Sequence, residues 1–247
     1  MSNNNSNNNK KRVGLIQSRG LGDIVIALPI AGYYRDQGWD VYWPIDEQFL
    51  PNVQNHAPWV KWIPIPYDPP GRYFYDVPLE RLRNFRCDEI IPLYQHLSGH
   101  PFSEEKYFQY TGFDQYKYIR AQVPFLHKWS LDQYITRDTA AEDALYNKLV
   151  TNNPNYALVH LDGSDFTAEF DHTIIPPDWD TIYIKPGHTP SIFNWLKIIQ
   201  GAQSVICVDS CIANMIDQMK INNDLYFIQR SHIGLTPTLG QDWTWLE

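Results

Sequence analysis

Short apolar runs alternate with longer mixed stretches along most of the chain, and the first of them sets the theme. Residues 11–18 (KRVGLIQS) predict a short buried strand. A glycine-rich turn follows, Arg19-Gly20-Leu21-Gly22-Asp23, and residues 24–37 then predict a helix that stops at Gly38. Pro29 lies inside that helix and is expected to kink it. Asp23 is placed to serve as its N-cap. Residues 40–45 (DVYWPI) read as a second strand, which completes a strand–helix–strand unit of the kind that builds parallel sheets.

The alternation continues. A short helix is expected over residues 49–56, an outer strand over 60–65 (VKWIPI), a proline-rich loop over 66–71 and a strand over 89–93 (EIIPL). Residues 95–128 are aromatic and irregular, with a helix expected near 104–110. A helix over 139–150 carries Leu145, Leu149 and Val150 on an apolar stripe. Thr151-Asn152-Asn153-Pro154-Asn155 reads as a linker. Beyond it come strands at 156–161 (YALVHL) and 181–184, a helix over 191–203, a strand at 204–208, a helix over 210–220 and a last strand at 225–228. The expected organisation is α/β throughout. It comprises a disordered polar tail over residues 1–10, an N-terminal Rossmann-like domain over 11–153 and a C-terminal one over 154–247.

Composition narrows the classes. Apolar residues form 43% of the 247-residue chain and charged residues 19%, which is globular rather than disordered. The formal net charge of -8 shows no global basic face of the kind that phosphate-driven duplex binding uses. The aromatic fraction of 15% suits core packing and equally the walls of sugar or base sites. Cys87, Cys207 and Cys211 fit no zinc spacing, and their odd count is compatible with a reducing cytoplasm. No apolar stretch reaches membrane-spanning length, and no signal peptide is visible.

Four loops carry candidate chemistry, each where a strand ends. In Gly20-Leu21-Gly22-Asp23 the glycines allow close backbone approach to a ligand, and the helix start favours an anion. Asp23 there is a cap, a general base, or both. The third glycine of the dinucleotide fingerprint is absent, since its position is Val25. In Val208-Asp209-Ser210-Cys211, Asp209 or Ser210 caps the next helix. Ser210 and the helix amides suit a phosphate, and Asp209 suits a ribose or sugar hydroxyl. Asn214 and Gln218 share one face of that helix, either toward a ligand or toward solvent. Gly163-Ser164 repeats the first loop one domain later. Lys185-Pro186-Gly187-His188 offers a lysine that can neutralise a diphosphate as a point charge. His96 and His100 lack a third ligand for a metal site, and the acidic cluster of Asp162, Asp165, Glu169 and Asp171 lacks the spacing of a calcium loop.

These residues bring out a family likeness. Residues 13–65 resemble the N-terminal part of glycosyltransferase family nine, the ADP-heptose:lipopolysaccharide heptosyltransferase group. The likeness runs through Gly20-Leu21-Gly22-Asp23, Leu28-Pro29, DVYWPI, Phe49-Leu50 and His56-Ala57-Pro58. A second match spans residues 194–214, where the family has Asp-Ser/Thr-Gly-x-x-His and this chain has Asp209-Ser210-Cys211-Ile212-Ala213-Asn214. Cys211 thus replaces a glycine and Asn214 a histidine, and the chain is shorter than typical members.

The resemblance implies a GT-B-like arrangement, two small Rossmann-like domains with parallel sheets facing a central cleft. It implies transfer of a sugar from a nucleotide-sugar donor, with inversion and with neither metal nor cofactor. It carries the catalytic base to Asp23. The expected donor contacts are Gly22, Ser164, Lys185, Asp209, Ser210, Asn214 and Gln218, and the expected acceptor contacts are Arg19, Gly20 and His96. The acceptor is a glycan or other hydroxyl; a variant of the reading makes it a hydroxymethylated base in phage DNA. The rival from another class is a nucleotide- or glycan-binding module without turnover. A nucleotide-sugar epimerase is disfavoured by the missing glycine and by the lack of a Tyr-x-x-x-Lys helix.

Overall fold

The computed structural model describes residues 10–66, 72–94, 111–151, 153–164, 166–221, 223–230 and 236–246. Most of the expected tail, the expected helix near 104–110, and His96 and His100 lie outside them. Two parallel sheets organise these residues. In the first half, β1 (Arg12–Ile16), β2 (Asp40–Asp46), β3 (Lys61–Ile65) and β4 (Glu89–Pro92) pair in the order β3-β2-β1-β4. In the second, β5 (Tyr156–His160), β6 (Asp180–Tyr183), β7 (Ser204–Val208), β8 (Asp224–Ile228) and β9 (Trp243–Leu246) pair in the order β6-β5-β7-β8-β9. Every pairing is parallel. Strands covered on both faces read as continuous apolar runs, and β5 and β7 are buried at every position.

The helices are α1 (Leu21–Asp36), α2 (Leu50–Val53), α3 (Asp76–Asn84), α4 (Phe113–Arg120), α5 (Thr139–Leu149), α6 (Leu196–Gly201) and α7 (Cys211–Met219), with a 3-10 stretch at Phe125–Gln133. Helix α1 is apolar almost all round: residues 24–32 and Tyr34 are buried. Such a helix needs cover on every side. It lies against its own sheet and also packs on α7 and on the 125–133 stretch. One continuous apolar core therefore runs from Val13 and Ile26 to Ile212 and Met215, through both halves. Gly32 makes part of this contact possible, because a Cβ there would stand 2.3 Å from the Tyr134 ring.

Several expectations need correction. Helix α1 begins at Leu21, so Asp23 sits in its first turn; the capping position is Gly20, and no side chain caps this end. Pro29 lies inside this helix, which continues past it to Asp36. The strand at 225–228 is not the last, because β9 follows it. Helices α3 and α4 and the 3-10 stretch arise where no regular element was expected. The C-terminal loop also returns to the first half. Lys128 and Asp114, both fully buried, form an ion pair at 2.8 Å, and Asp114 accepts from Thr238 N–H at 2.8 Å. No helix among the described residues is long and apolar enough to cross a membrane.

Candidate functional site

The C-terminal ends of β1, β5 and β7 point toward one cleft, the usual ligand edge of open α/β sheets. A cavity of about 570 Å³ opens there, lined from the first half by Gly20, Gly22, Asp23 and Phe113, and from the second by His160, Ser164, Asp209, Ser210, Asn214 and Arg230. A smaller lobe of about 300 Å³ adjoins it through Leu21, His160, Pro186 and Cys211, and holds Lys185. Loops predicted far apart in sequence thus face one another across the halves.

The first wall is built on the end of β1. Gly20 takes φ +80°, and a Cβ on it would stand 2.5 Å from Asp23 Oδ2. The turn is pinned from β4's side by the Tyr94 hydroxyl, which accepts from Arg19 N–H at 2.8 Å. The Asp23 carboxylate meets Lys117 Nζ at 2.8 Å. Lys117 comes from α4, is buried, and also donates to Gln17 Oε1 at 2.8 Å and to the Leu93 carbonyl at 3.2 Å. Three fixed acceptors hold one ammonium, so one oxygen of Asp23 is held in place while the carboxylate still borders the cavity. Gly20→Ala meets both a disfavoured φ and a clash with the Asp23 carboxylate. It is expected to destabilise the fold by about 1–3 kcal/mol. Urea melts check this, and an unchanged midpoint would contradict the strain.

The second wall is built on β7 and α7. Ser210 caps α7, its Oγ accepting from Ala213 N–H at 3.4 Å, as one of the two capping alternatives foresaw. Asp209 is 5% exposed. Burial pushes its carboxyl up to about 6, offset in part by Arg230 and Lys128 and reinforced by Asp23 and Asp114. Arg230 donates to Ser164 Oγ at 2.9 Å, which ties the end of β8 to the loop after β5.

The remaining predicted residues divide. Gly22 lies against α7, where an added Cβ would meet Asn214 Nδ2 at 3.5 Å. Asn214 borders the cavity but is buried, and it donates to the Ser210 carbonyl at 2.9 Å. Gln218 is fully buried, does not line the cavity, and donates to the Asn214 carbonyl at 3.1 Å. The polar stripe of α7 therefore turns into the protein, so it is not a solvated face. Arg19 pairs with Asp46 at 3.3 Å and stands outside the lining.

His160, Lys117 and Arg230 were not singled out, and Asp162 was weighed only as part of an acidic cluster. His160 left a trace, as the one polar residue within the apolar run YALVHL beside the Gly163-Ser164 loop. Lys117 left none, because it lies in the aromatic segment without period. Burial lowers the His160 imidazole to about 4, with Asp162 opposing.

No protein-family model matches the sequence, and no curated protein matches it either. Solved structures do match. A family-nine glycosyl transferase from Veillonella parvula superposes with a TM-score of 0.55 at 14% identity, over 89% of this chain and 80% of that one. The fold is GT-B-like. E. coli ADP-heptose lipopolysaccharide heptosyltransferase II gives 0.53 at 10% identity, over 95% of this chain and 89% of its own. E. coli heptosyltransferase WaaC, solved with ADP, gives 0.50 at 13% identity over 95% and 92%. The GT-B-like arrangement expected from Gly20–Asp23 and Asp209–Asn214 is thus the arrangement found, two parallel sheets of the same order of size on either side of the cleft.

Proposed function

We propose that the chain is a glycosyltransferase that moves a sugar from a nucleotide-sugar donor to a hydroxyl acceptor with inversion. The observation that carries this reading is the pairing, across one cleft in a GT-B fold, of a positioned carboxylate with a wall of anion donors. Asp23 stands on one side; Ser164, Arg230 and the capped start of α7 stand on the other.

In this reading the acceptor hydroxyl lies beside Asp23. The carboxylate takes its proton as the acceptor oxygen bonds to the anomeric carbon. The bond from that carbon to the phosphate oxygen breaks, and the nucleoside diphosphate leaves with the electron pair. Arg230, Lys185 from the smaller lobe and the N–H groups of α7 stabilise the charge that develops on it. Asp209 accepts from a ribose or sugar hydroxyl. The donor nucleotide is left to experiment, since Cys211 and Asn214 stand where family nine has glycine and histidine.

The test is a thermal-shift panel of UDP, GDP, CDP, ADP and dTDP, with and without magnesium. A ligand that binds only the folded chain stabilises it by about 2.7 kcal/mol at a hundred times its Kd. For a chain of this size that is a rise of roughly 5–10 °C. One diphosphate is expected to stand out, and the magnesium arm reads any metal requirement. No shift with any of them at millimolar concentration would remove the donor site.

A further inference from the structure

His160 ends β5 and lines both lobes of the cleft. Its Nδ1 stands 3.1 Å from Ser210 Oγ. Which of the two donates is decided by what else Ser210 does. Its Oγ already accepts from Ala213 N–H, so its single hydrogen needs another acceptor. Two are in reach, His160 Nδ1 at 3.1 Å and Cys207 Sγ at 3.6 Å. Sulfur is the weaker acceptor, and the Cys207 thiol is directed to the Val208 carbonyl at 3.3 Å. With Ser210 donating across this shorter contact, the ring hydrogen of the neutral imidazole sits on Nε2. Nε2 meets no protein acceptor among the described residues.

We propose that His160 is a neutral hydrogen-bond donor to a phosphate oxygen of the bound diphosphate, with its tautomer locked by the helix cap Ser210. The proposal rests on the nucleotide-sugar reading above and adds a residue and a protonation state to it. Its ligand class follows from the company His160 keeps: Ser164, Arg230 and the start of α7 are on the same side of the cleft, and each presents N–H or O–H groups. Neutrality has a use in this place. Asp23, Asp162 and Asp209 border the same cavity, and an imidazolium would pair with them. A neutral ring kept from charging by burial leaves its one N–H for the ligand. The cap thereby does two jobs, starting α7 and aiming the proton of a side chain from another strand.

The experiment uses the full chain labelled with nitrogen-15 histidine, together with calorimetric titration of inorganic pyrophosphate and the five nucleoside diphosphates. At pH 7 the His160 resonances are expected to report hydrogen on Nε2, and Ser210→Ala to give a mixture of tautomers. His160→Phe is expected to weaken the diphosphate that binds best by at least about tenfold, as loss of a hydrogen bond to a charged group does. His160→Gln, which keeps an N–H donor, is expected to stay within about threefold and guards against a variant that fails only by misfolding. A wild-type ring protonated on Nδ1, or equal affinity in His160→Phe, would overturn this inference and leave the donor site standing. Failure of every diphosphate to bind the wild type would overturn both.

Discussion

Asp23→Asn is expected to lower the rate of sugar transfer by about 10²–10⁴-fold while diphosphate affinity changes little. The variant keeps the shape of the side chain and removes its ability to take a proton. The second half, which supplies the anion donors, is untouched. One complication comes from Lys117, whose buried ammonium loses its carboxylate partner but keeps Gln17 Oε1 and the Leu93 carbonyl. A buried ion stripped of its partner destabilises the fold, so lost activity alone would be ambiguous. Lys117→Met resolves it. That variant also breaks the ion pair, but the carboxylate survives with looser placement, and a loss of only about tenfold is expected from misorientation. Single-turnover rates and calorimetric affinities on both variants separate the cases. Equal losses in the two, or full activity in Asp23→Asn, would remove Asp23 as the base.

Asp209→Asn is expected to change how stability depends on pH. The folded protein holds the Asp209 carboxyl up at about 6, against about 3.9 in an unfolded chain. Between those values the folded state binds the proton and the unfolded state does not, so stability falls as pH rises through the window. The penalty is absent below about pH 4 and complete above about pH 6, and two pH units correspond to about 3 kcal/mol. His160 acts in the opposite sense. Its folded value of about 4 lies below the unfolded 6.5, so its contribution is present above about pH 6.5 and lost as pH falls toward 4. In the wild type the two offset each other. Asp209→Asn removes one of them, so the variant is expected to gain about 3 kcal/mol on the wild type between pH 4 and pH 8 and to lose stability more steeply in acid. Urea melts across that range measure it, and parallel curves for the two proteins would refute the assignment.

The parallel strands were legible because burial on both faces writes them as unbroken apolar runs, as in VGLI, ALV and VICV, each followed by a polar turn. The loops after them were legible for the same reason, and so were Asp23, Ser164, Asp209 and Ser210. Helix α4 was not, because it buries Asp114 and Lys117 alongside Tyr116 and Tyr118. Buried charges that pair with distant partners break the apolar period that sequence reading depends on. Strand β9 was hidden by its edge position, where two of its four residues are exposed. His160 was hidden by its own strand, since a neutral buried imidazole reads as one more core position until the serine beside it is seen.

The all-round apolar character of α1 bears on how such a protein can change over time. It packs on α7, and Gly22 and Gly32 lie against residues from much later in the chain, Asn214 and Tyr134. A crossover that swapped one half for a relative's would set α1 against a helix it had not evolved with. A chimera of two such halves is therefore expected to melt below either parent, because α1 and α7 share one core.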